Sequence, residues 1–201
     1  MESRVDTLIL RFALLFCFLA PILSGCAEED DDTGGRLVFM GDSIAAQWDT
    51  DGAFPSMAPL NLGIPGAGVE SLRDFAGTRT GERVVMIIGT NDLSSVTESN
   101  FSWYADRYVE NILMTGARRI LLVSILPRKI NPADGKDYNQ LIERLNSAIR
   151  GRVGSCGHVT YIDAYPCFLH DGAPLEHLYN DHVHLTPDGY EILASLLRSR
   201  L

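Results

Sequence analysis

The chain contains three side chains whose types and order are suited to nucleophilic catalysis. Ser43 follows Gly-Asp directly behind a short apolar run, and Asp181 and His184 stand three positions apart near the C-terminus. A serine hydroxyl is unreactive at its own pKa and needs a neighbouring base, a task for which imidazole is suited because it titrates near neutral pH. A carboxylate beside the imidazole can fix its tautomer. We therefore predict Ser43 as nucleophile, His184 as base and Asp181 as the residue that orients the base.

The elements that must position these side chains alternate between strands and helices along the chain. Apolar runs without alternation predict strands buried on both faces, and segments with apolar residues at helical spacing lie between them. This pattern predicts an α/β fold, a single-domain three-layer α/β/α sandwich with a five-stranded parallel sheet. The predicted strands cover residues 36–40, 58–64, 83–88, 119–126 and 159–164, and the predicted helices cover 97–115, 137–149 and a C-terminal segment that starts at Pro187.

Polar residues collect where these strands end. Ser43 follows the first predicted strand, Gly63 lies at the end of the second, and Asn91 in "GTND" follows the third. Ligands of open parallel sheets bind outside the carboxyl ends of the strands. Each block alone is a weak signal, because Gly, Asp, Asn and Ser are ordinary turn residues. Together, at successive strand ends, they indicate an enzyme.

The blocks, in this order, resemble the SGNH/GDSL hydrolases, a family of esterases and lipases. The resemblance covers nearly all of the chain after residue 35, although Ile44 stands where the family usually has leucine. It implies a flavodoxin-like fold and a carboxylic ester hydrolase that uses no cofactor. The resemblance also implies a catalytic triad of Ser43, Asp181 and His184. It further implies an oxyanion hole, whose donors are the backbone N–H groups of Ser43 and Gly63 and the side-chain amide of Asn91.

The substrate is less well defined by the sequence than the chemistry. Short connections between the predicted strands leave no obvious long acyl channel, which favours a short acyl group such as acetyl on a carbohydrate or other small ester. A lysophospholipase or thioesterase differs only in the pocket, and an O-acyltransferase uses the same triad with an alcohol in place of water. A non-catalytic envelope lipoprotein on the same fold is a further alternative, although none of the five site residues is missing.

Histidines near the triad raise the alternative of a metal site. His177, His182 and His184 with Asp181 offer donor atoms that zinc accepts. No helical His-x-x-x-His pair or cysteine accompanies them, so we predict no metal.

Residues 1–25 have the pattern of a lipoprotein signal peptide. Arg4 and Arg11 precede an apolar stretch of about 12 residues, which is shorter than the roughly 20 that a membrane-spanning helix needs. "LSGC" at 23–26 resembles the lipobox of bacterial lipoproteins, so we expect a lipid on Cys26; a plain secretory signal is the alternative. Residues 26–35 would then be an acidic, Gly-containing tether and 36–201 the hydrolase domain. Ala27 after the cysteine resembles the outer-membrane sorting signal of enteric bacteria.

Two further cysteines follow in the predicted domain. Cys156 and Cys167 form an even pair, and an exported protein meets conditions that permit disulfides. A bridge between them is possible, and two free thiols are the alternative.

Charge and composition narrow the range of partners. The chain carries 17 Lys and Arg against 26 Asp and Glu, a formal net charge of −9, without a basic stripe. Nucleic acid is therefore not an expected partner. We expect a small-molecule or glycan ester as substrate and contact with a membrane through the lipid on Cys26, while the sequence does not indicate an oligomeric state.

Overall fold

The computed structural model describes residues 34–133 and 135–201. The predicted signal peptide, the lipidation site Cys26 and most of the tether lie outside the described residues. Five strands form one parallel sheet in the order β2-β1-β3-β4-β5, as predicted for a flavodoxin-like fold. The strands are β1 (Leu37–Gly41), β2 (Leu60–Gly63), β3 (Arg83–Ile87), β4 (Arg119–Val123) and β5 (Val159–Ile162).

Helices cover both faces of this sheet and complete the predicted three layers. They are α1 (Ser43–Ala46), α2 (Thr50–Ala53), α3 (Phe101–Met114), α4 (Asn139–Val153) and α5 (Pro187–Arg198). Alternate residues of the strands point to opposite faces, so each strand supplies two cores. In the part of the chain that the structure describes, one core joins the sheet to α3 and α4, and the other joins it to α1 and α5.

Several elements differ from the sequence prediction in their bounds. Helix α3 starts at Phe101 rather than at residue 97, because the Thr97 N–H donates to Asn100 Oδ1 (2.7 Å) in a turn ahead of the helix. A short hairpin of β6 (Leu169–His170) and β7 (Ala173–Pro174) was not predicted. Short 3₁₀ helices, which the sequence pattern also did not indicate, span Val69–Phe75, Thr90–Ser95, Tyr165–Phe168 and Glu176–Leu178.

The sheet brings the predicted site residues to one edge. Gly41 at the end of β1 pairs with Gly63 of β2 on one side and with Ile87 of β3 on the other. The carboxyl ends of these three strands are therefore level. The connection that follows β1 runs over one face of the sheet, and the connection that follows β2 runs over the opposite face. Open α/β sheets bind their ligands at such a switch point.

The possible disulfide between Cys156 and Cys167 is wrong for this fold. Both thiols are free, with Cys156 partly buried and Cys167 exposed. Cys156 precedes β5, whereas Cys167 lies in the 3₁₀ helix that follows it. The strand between them is about 13 Å long at roughly 3.3 Å per residue, and a disulfide needs Cα atoms within about 7 Å.

Within the described ranges, no helix combines the length and the apolar character needed to cross a membrane.

Candidate active site

Ser43 lies at a sharp turn between β1 and α1. Gly41 has a φ of +144°, and a Cβ there would lie 1.7 Å from Ile87 O, so only glycine fits this step. Asp42 caps α1 because its Oδ1 accepts a hydrogen bond from the Ile44 N–H (2.9 Å), and its own N–H donates to Ile87 O (3.1 Å). These bonds fix the backbone on both sides of Ser43, whose side chain stands where the strand ends.

A continuous chain of hydrogen bonds runs from Ser43 to the segment before α5. His184 Nε2 lies 2.9 Å from Ser43 Oγ, and His184 Nδ1 lies 2.7 Å from Asp181 Oδ2. Asp181 Oδ1 accepts the backbone N–H groups of Val183 (2.7 Å) and His184 (2.8 Å). The structure thus brings together the three residues predicted for nucleophile, base and orienter.

The protonation of Asp181 determines the tautomer of the imidazole. Partial burial raises the pKa of Asp181, but the hydrogen bonds from His184 and Val183 outweigh this effect and hold the pKa at about 2. At neutral pH the carboxylate can therefore only accept, so Nδ1 of His184 carries the proton. Nε2 is left with a lone pair facing the Ser43 hydroxyl, which is the arrangement that a general base needs.

The loop that carries His184 is fixed by backbone and side-chain bonds. Asn180 donates its N–H to His184 O (2.8 Å) and its Nδ2 to Leu185 O (2.7 Å). The Lys129 N–H, from the loop after β4, donates to His182 O (3.1 Å). These bonds hold the imidazole against α1 although the ring itself is partly open to solvent.

Gly63 does not fit the predicted role of oxyanion donor. Its N–H donates to Asn61 Oδ1 (3.0 Å) and is therefore already used. The glycine is required for a different reason, since a Cβ at this position would lie 2.3 Å from Ala46 N. Asn61 also donates its amide to Ala45 O (2.8 Å) and to Trp48 O (3.2 Å). This corner of β2 thus serves to hold α1 in place.

A glycine that the sequence analysis passed over has the properties expected of the missing donor. Gly66 lies in the exposed connection after β2, has a φ of +78°, and its N–H forms no hydrogen bond to any residue that the structure describes. A Cβ there would meet no atom within 4 Å, so the space in front of its backbone is open. The dipeptide Pro65-Gly66 was a turn signal that could have found it.

Asn91 follows β3 at the same edge of the sheet and is exposed, as a residue that contacts a substrate should be. Its Nδ2 donates one hydrogen to Ala67 O (2.9 Å). An amide nitrogen has two hydrogens, so one remains for a ligand. The Asn91 amide is therefore both anchored and able to donate.

A buried and a partly buried carboxyl group, those of Asp42 and Asp92, lie close to the site. Burial raises the pKa of Asp42 to about 7, the hydrogen bond from Ile44 opposes this rise, and the negative charge of Asp92 adds to it. Asp42 Oδ2 and Thr90 Oγ1 are buried and form no hydrogen bond within the described residues. Burial likewise raises the pKa of Asp92, although hydrogen bonds from Val69 and Tyr104 lower it.

A cleft of about 630 Å³ lies next to the triad on the Asp181 side. Its floor is mostly apolar, and Ile130 in it is 56% exposed. An ion pair between Lys129 Nζ and Glu176 Oε2 (2.8 Å) lies at the cleft as well. The other residues that line it are Pro132, Ala173, Pro174, Asp181 and His182.

The donor atoms around the triad do not form a metal centre. Among residues 34–133 and 135–201, no group of three or more His, Cys, Asp or Glu side chains is arranged to hold a metal ion. His184, which belonged to the alternative zinc set, has both ring nitrogens in hydrogen bonds to Ser43 and Asp181.

Comparison with known proteins agrees with this fold. The chain is 27% identical over 188 residues to platelet-activating factor acetylhydrolase IB subunit alpha1 of Pongo abelii, covering 86% of this chain and 78% of that protein. Its structure is similar to a GDSL-like lipase from Bacteroides thetaiotaomicron (TM-score 0.67, 23% identity, 82% and 86% of the two chains). It is also similar to an acetylxylan esterase from Geobacillus stearothermophilus (TM-score 0.61, 18% identity, 82% and 93% of the two chains).

A parallel sheet with this set of residues at its carboxyl edge is that of a carboxylic ester hydrolase. The model of the GDSL-like lipase/acylhydrolase family matches residues 39–192, and the chain belongs to this family.

Proposed function

We propose that the chain is a serine esterase that removes short acyl groups, acetyl above all, from a carbohydrate or another small ester. The observation that carries this proposal is the unbroken relay from Asp181 through His184 to Ser43, with contacts of 2.7 and 2.9 Å. Membership of the acylhydrolase family supports ester hydrolysis as the reaction.

In the first half of the reaction, Ser43 Oγ attacks the ester carbonyl while His184 Nε2 takes the hydroxyl proton. The ionised Asp181 stabilises the imidazolium that forms. The tetrahedral intermediate collapses when the same proton passes to the departing alcohol, leaving an acyl-serine. In the second half, His184 removes a proton from water, which attacks the acyl group. His184 then returns this proton to Ser43 Oγ as the carboxylic acid leaves.

The negative charge on the intermediate needs donors at the carboxyl edge of the sheet. We assign the Ser43 N–H, the Gly66 N–H and the free hydrogen of Asn91 Nδ2 to this role. Gly66 replaces Gly63 because the N–H of Gly63 is bonded to Asn61. One such donor typically contributes about 3 kcal/mol to lowering the barrier.

A short acyl group on a larger alcohol fits the relatives and the surface of the site. One relative is named an acetylhydrolase and one structural neighbour an acetylxylan esterase. The cleft of about 630 Å³ beside Asp181 is far larger than an acetyl group. It borders Asp181 and His182, next to the proposed triad, so we assign it to the alcohol.

We further propose that the esterase is exported and anchored to the outer membrane through a lipid on Cys26, on either its periplasmic or its cell-surface side. The lipobox-like "LSGC" segment and the acidic tether after it support this proposal. Metabolic labelling with an alkyne fatty acid should mark the wild-type chain and not Cys26→Ala. Labelling of both proteins, or of neither, would refute the anchor.

The esterase proposal is tested by hydrolysis of p-nitrophenyl esters from acetate to palmitate by the full chain purified in detergent. We expect the highest kcat/KM for acetate and a loss of kcat of about a million-fold in Ser43→Ala. A long-chain optimum would move the substrate to lipids, and transfer to an added alcohol in preference to water would indicate an acyltransferase. A folded wild type that cleaves none of the esters would refute the proposal and favour a binding role.

A further inference from the structure

The loop of residues 64–69, which carries Gly66, is held by side chains from outside the loop. Asn91 Nδ2 donates to Ala67 O (2.9 Å), as described above. The Val69 N–H donates to Asp92 Oδ2 (3.0 Å), and Val69 O accepts from Asn111 Nδ2 (3.3 Å). The segment beyond β3 and helix α3 therefore bind the backbone of this loop at three points.

Asp92 is the central member of this group. Its Oδ2 accepts a second hydrogen bond from the hydroxyl of Tyr104 (3.0 Å), a residue of α3 that is only 5% exposed. A Cβ at Gly68 would lie 2.3 Å from Asp92 Oδ1, so the loop backbone is in direct contact with this carboxylate. The carboxylate thus connects a rigid helix to a loop that lies outside the sheet.

The attachment matters because Gly66 has few other restraints. Inside the loop, the Ala67 N–H donates to Ile64 O (3.0 Å), and no other hydrogen bond of the described residues fixes Gly66 itself. A loss of hydrogen-bond geometry of a few tenths of an ångström weakens an oxyanion donor, since such donors act only from a preorganised position. The direction of the Gly66 N–H is therefore set by where Ala67 and Val69 are held.

We propose that Asp92, held by Tyr104, is a positioning residue that keeps the loop of residues 64–69 in the register in which the Gly66 N–H meets the oxyanion. This inference rests on the esterase activity proposed above and adds Asp92 to the residues on which that activity depends. Asp92 touches neither substrate nor Ser43, so its effect must pass through the loop backbone.

The experiment compares variants of the full chain for kcat and KM on p-nitrophenyl acetate. Asp92→Ala should lower kcat by at least tenfold with KM within about twofold, because the loss concerns a contact made in the transition state. Asp92→Asn should recover most of this loss, since its amide oxygen can take the place of Oδ2 and accept from both the Val69 N–H and the Tyr104 hydroxyl. Tyr104→Phe should lower kcat several-fold.

A matched control separates positioning from stability. Tyr108 lies one turn further along α3, is buried, and donates to Ile88 O (2.9 Å) rather than to Asp92. Tyr108→Phe removes the same kind of group and should lower Tm comparably while leaving kcat unchanged. Inhibition by methylboronic acid, which forms a tetrahedral adduct with serine, should weaken in Asp92→Ala by the factor lost in kcat/KM.

Three results would overturn the inference. They are an active wild type with unchanged kcat in Asp92→Ala, an equal loss of kcat in Tyr108→Phe and Tyr104→Phe, or no recovery in Asp92→Asn. If Asp92→Ala does not fold, three variants still test the inference. They are Tyr104→Phe, its control Tyr108→Phe, and Asp92→Asn. An inactive but folded wild type refutes the esterase proposal and this inference with it, a result distinct from the first three.

Discussion

The carboxyl group of Asp42 is expected to make the protein less stable as the pH rises from about 4 to about 7. Burial raises its pKa from 3.8 to about 7. In the unfolded chain the same group ionises near its ordinary value, so in this window the unfolded state releases a proton that the folded state keeps. Rising pH therefore favours unfolding until the pH exceeds about 7, where the effect levels off.

The substitution Asp42→Asn removes this ionisation and keeps the cap, since the Asn oxygen can still accept from the Ile44 N–H. One unit of pKa corresponds to about 1.4 kcal/mol, so the shift sets an upper limit of about 4 kcal/mol on the gain in unfolding free energy at pH 8. At pH 4 the two proteins should be similarly stable, because Asp42 of the folded wild type is protonated there.

Urea unfolding between pH 4 and pH 8, followed by the fluorescence of the buried Trp48, measures this difference. Asp92, whose pKa burial also raises, contributes in both proteins, so the difference between their curves reports Asp42 together with its charge interaction with Asp92. Asp49→Asn is the control, because Asp49 caps α2 in the same way but is exposed. Parallel curves for wild type and Asp42→Asn, or a less stable variant at pH 8, would show that burial does not hold this carboxyl neutral.

Four further substitutions address other parts of the site. Asp181→Asn should lower kcat by about ten-thousand-fold because the amide favours the wrong imidazole tautomer; a kcat within tenfold of the wild type would contradict the proposed relay. In urea unfolding, Gly63→Ala should cost about 3 kcal/mol, since its Cβ meets the backbone of α1 at 2.3 Å, whereas Gly66→Ala should cost only about 1–2 kcal/mol of left-handed strain. Ile130→Asp should raise KM for acetates of bulky alcohols and leave KM for ethyl acetate unchanged. Equal effects on both substrates would show that the alcohol group does not bind in the cleft.

The sequence predicted the sheet well because four of its five strands are apolar runs without alternation, β2 (LNLG) being the exception. Burial on both faces requires such runs, and their observed bounds differ from the predicted ones by three residues at most. The sequence also predicted that Ser43, Asp181 and His184 lie together, as they do, because the proposed nucleophile, base and orienter must be particular residue types. The reaction itself restricts these positions, and the fold then places them at the ends of elements that the sequence pattern reveals.

The predictions that failed, the role of Gly63 and the disulfide between Cys156 and Cys167, depend on backbone direction and on distance, which residue types do not encode. "NLGIPGAG" contains three glycines, and only the hydrogen bond to Asn61 shows that the N–H of Gly63 is used. Cys156 and Cys167 are close in sequence, but a strand separates them in space. The raised pKa of Asp42 depends on the packing around it, which no local pattern predicts.

The hydrogen bond between Ser43 and His184 spans 141 positions of the chain. During synthesis, the proposed nucleophile Ser43 leaves the ribosome long before its proposed base His184 is made, and under the proposed mechanism neither segment alone can cleave an ester. Catalytic competence therefore arises late, when the segment before α5 reaches the end of β1, and closing so long a loop is slow compared with forming local structure. A growing chain is consequently harmless to esters in the compartment where it is made, and recovery of activity during refolding would time the closure of this loop.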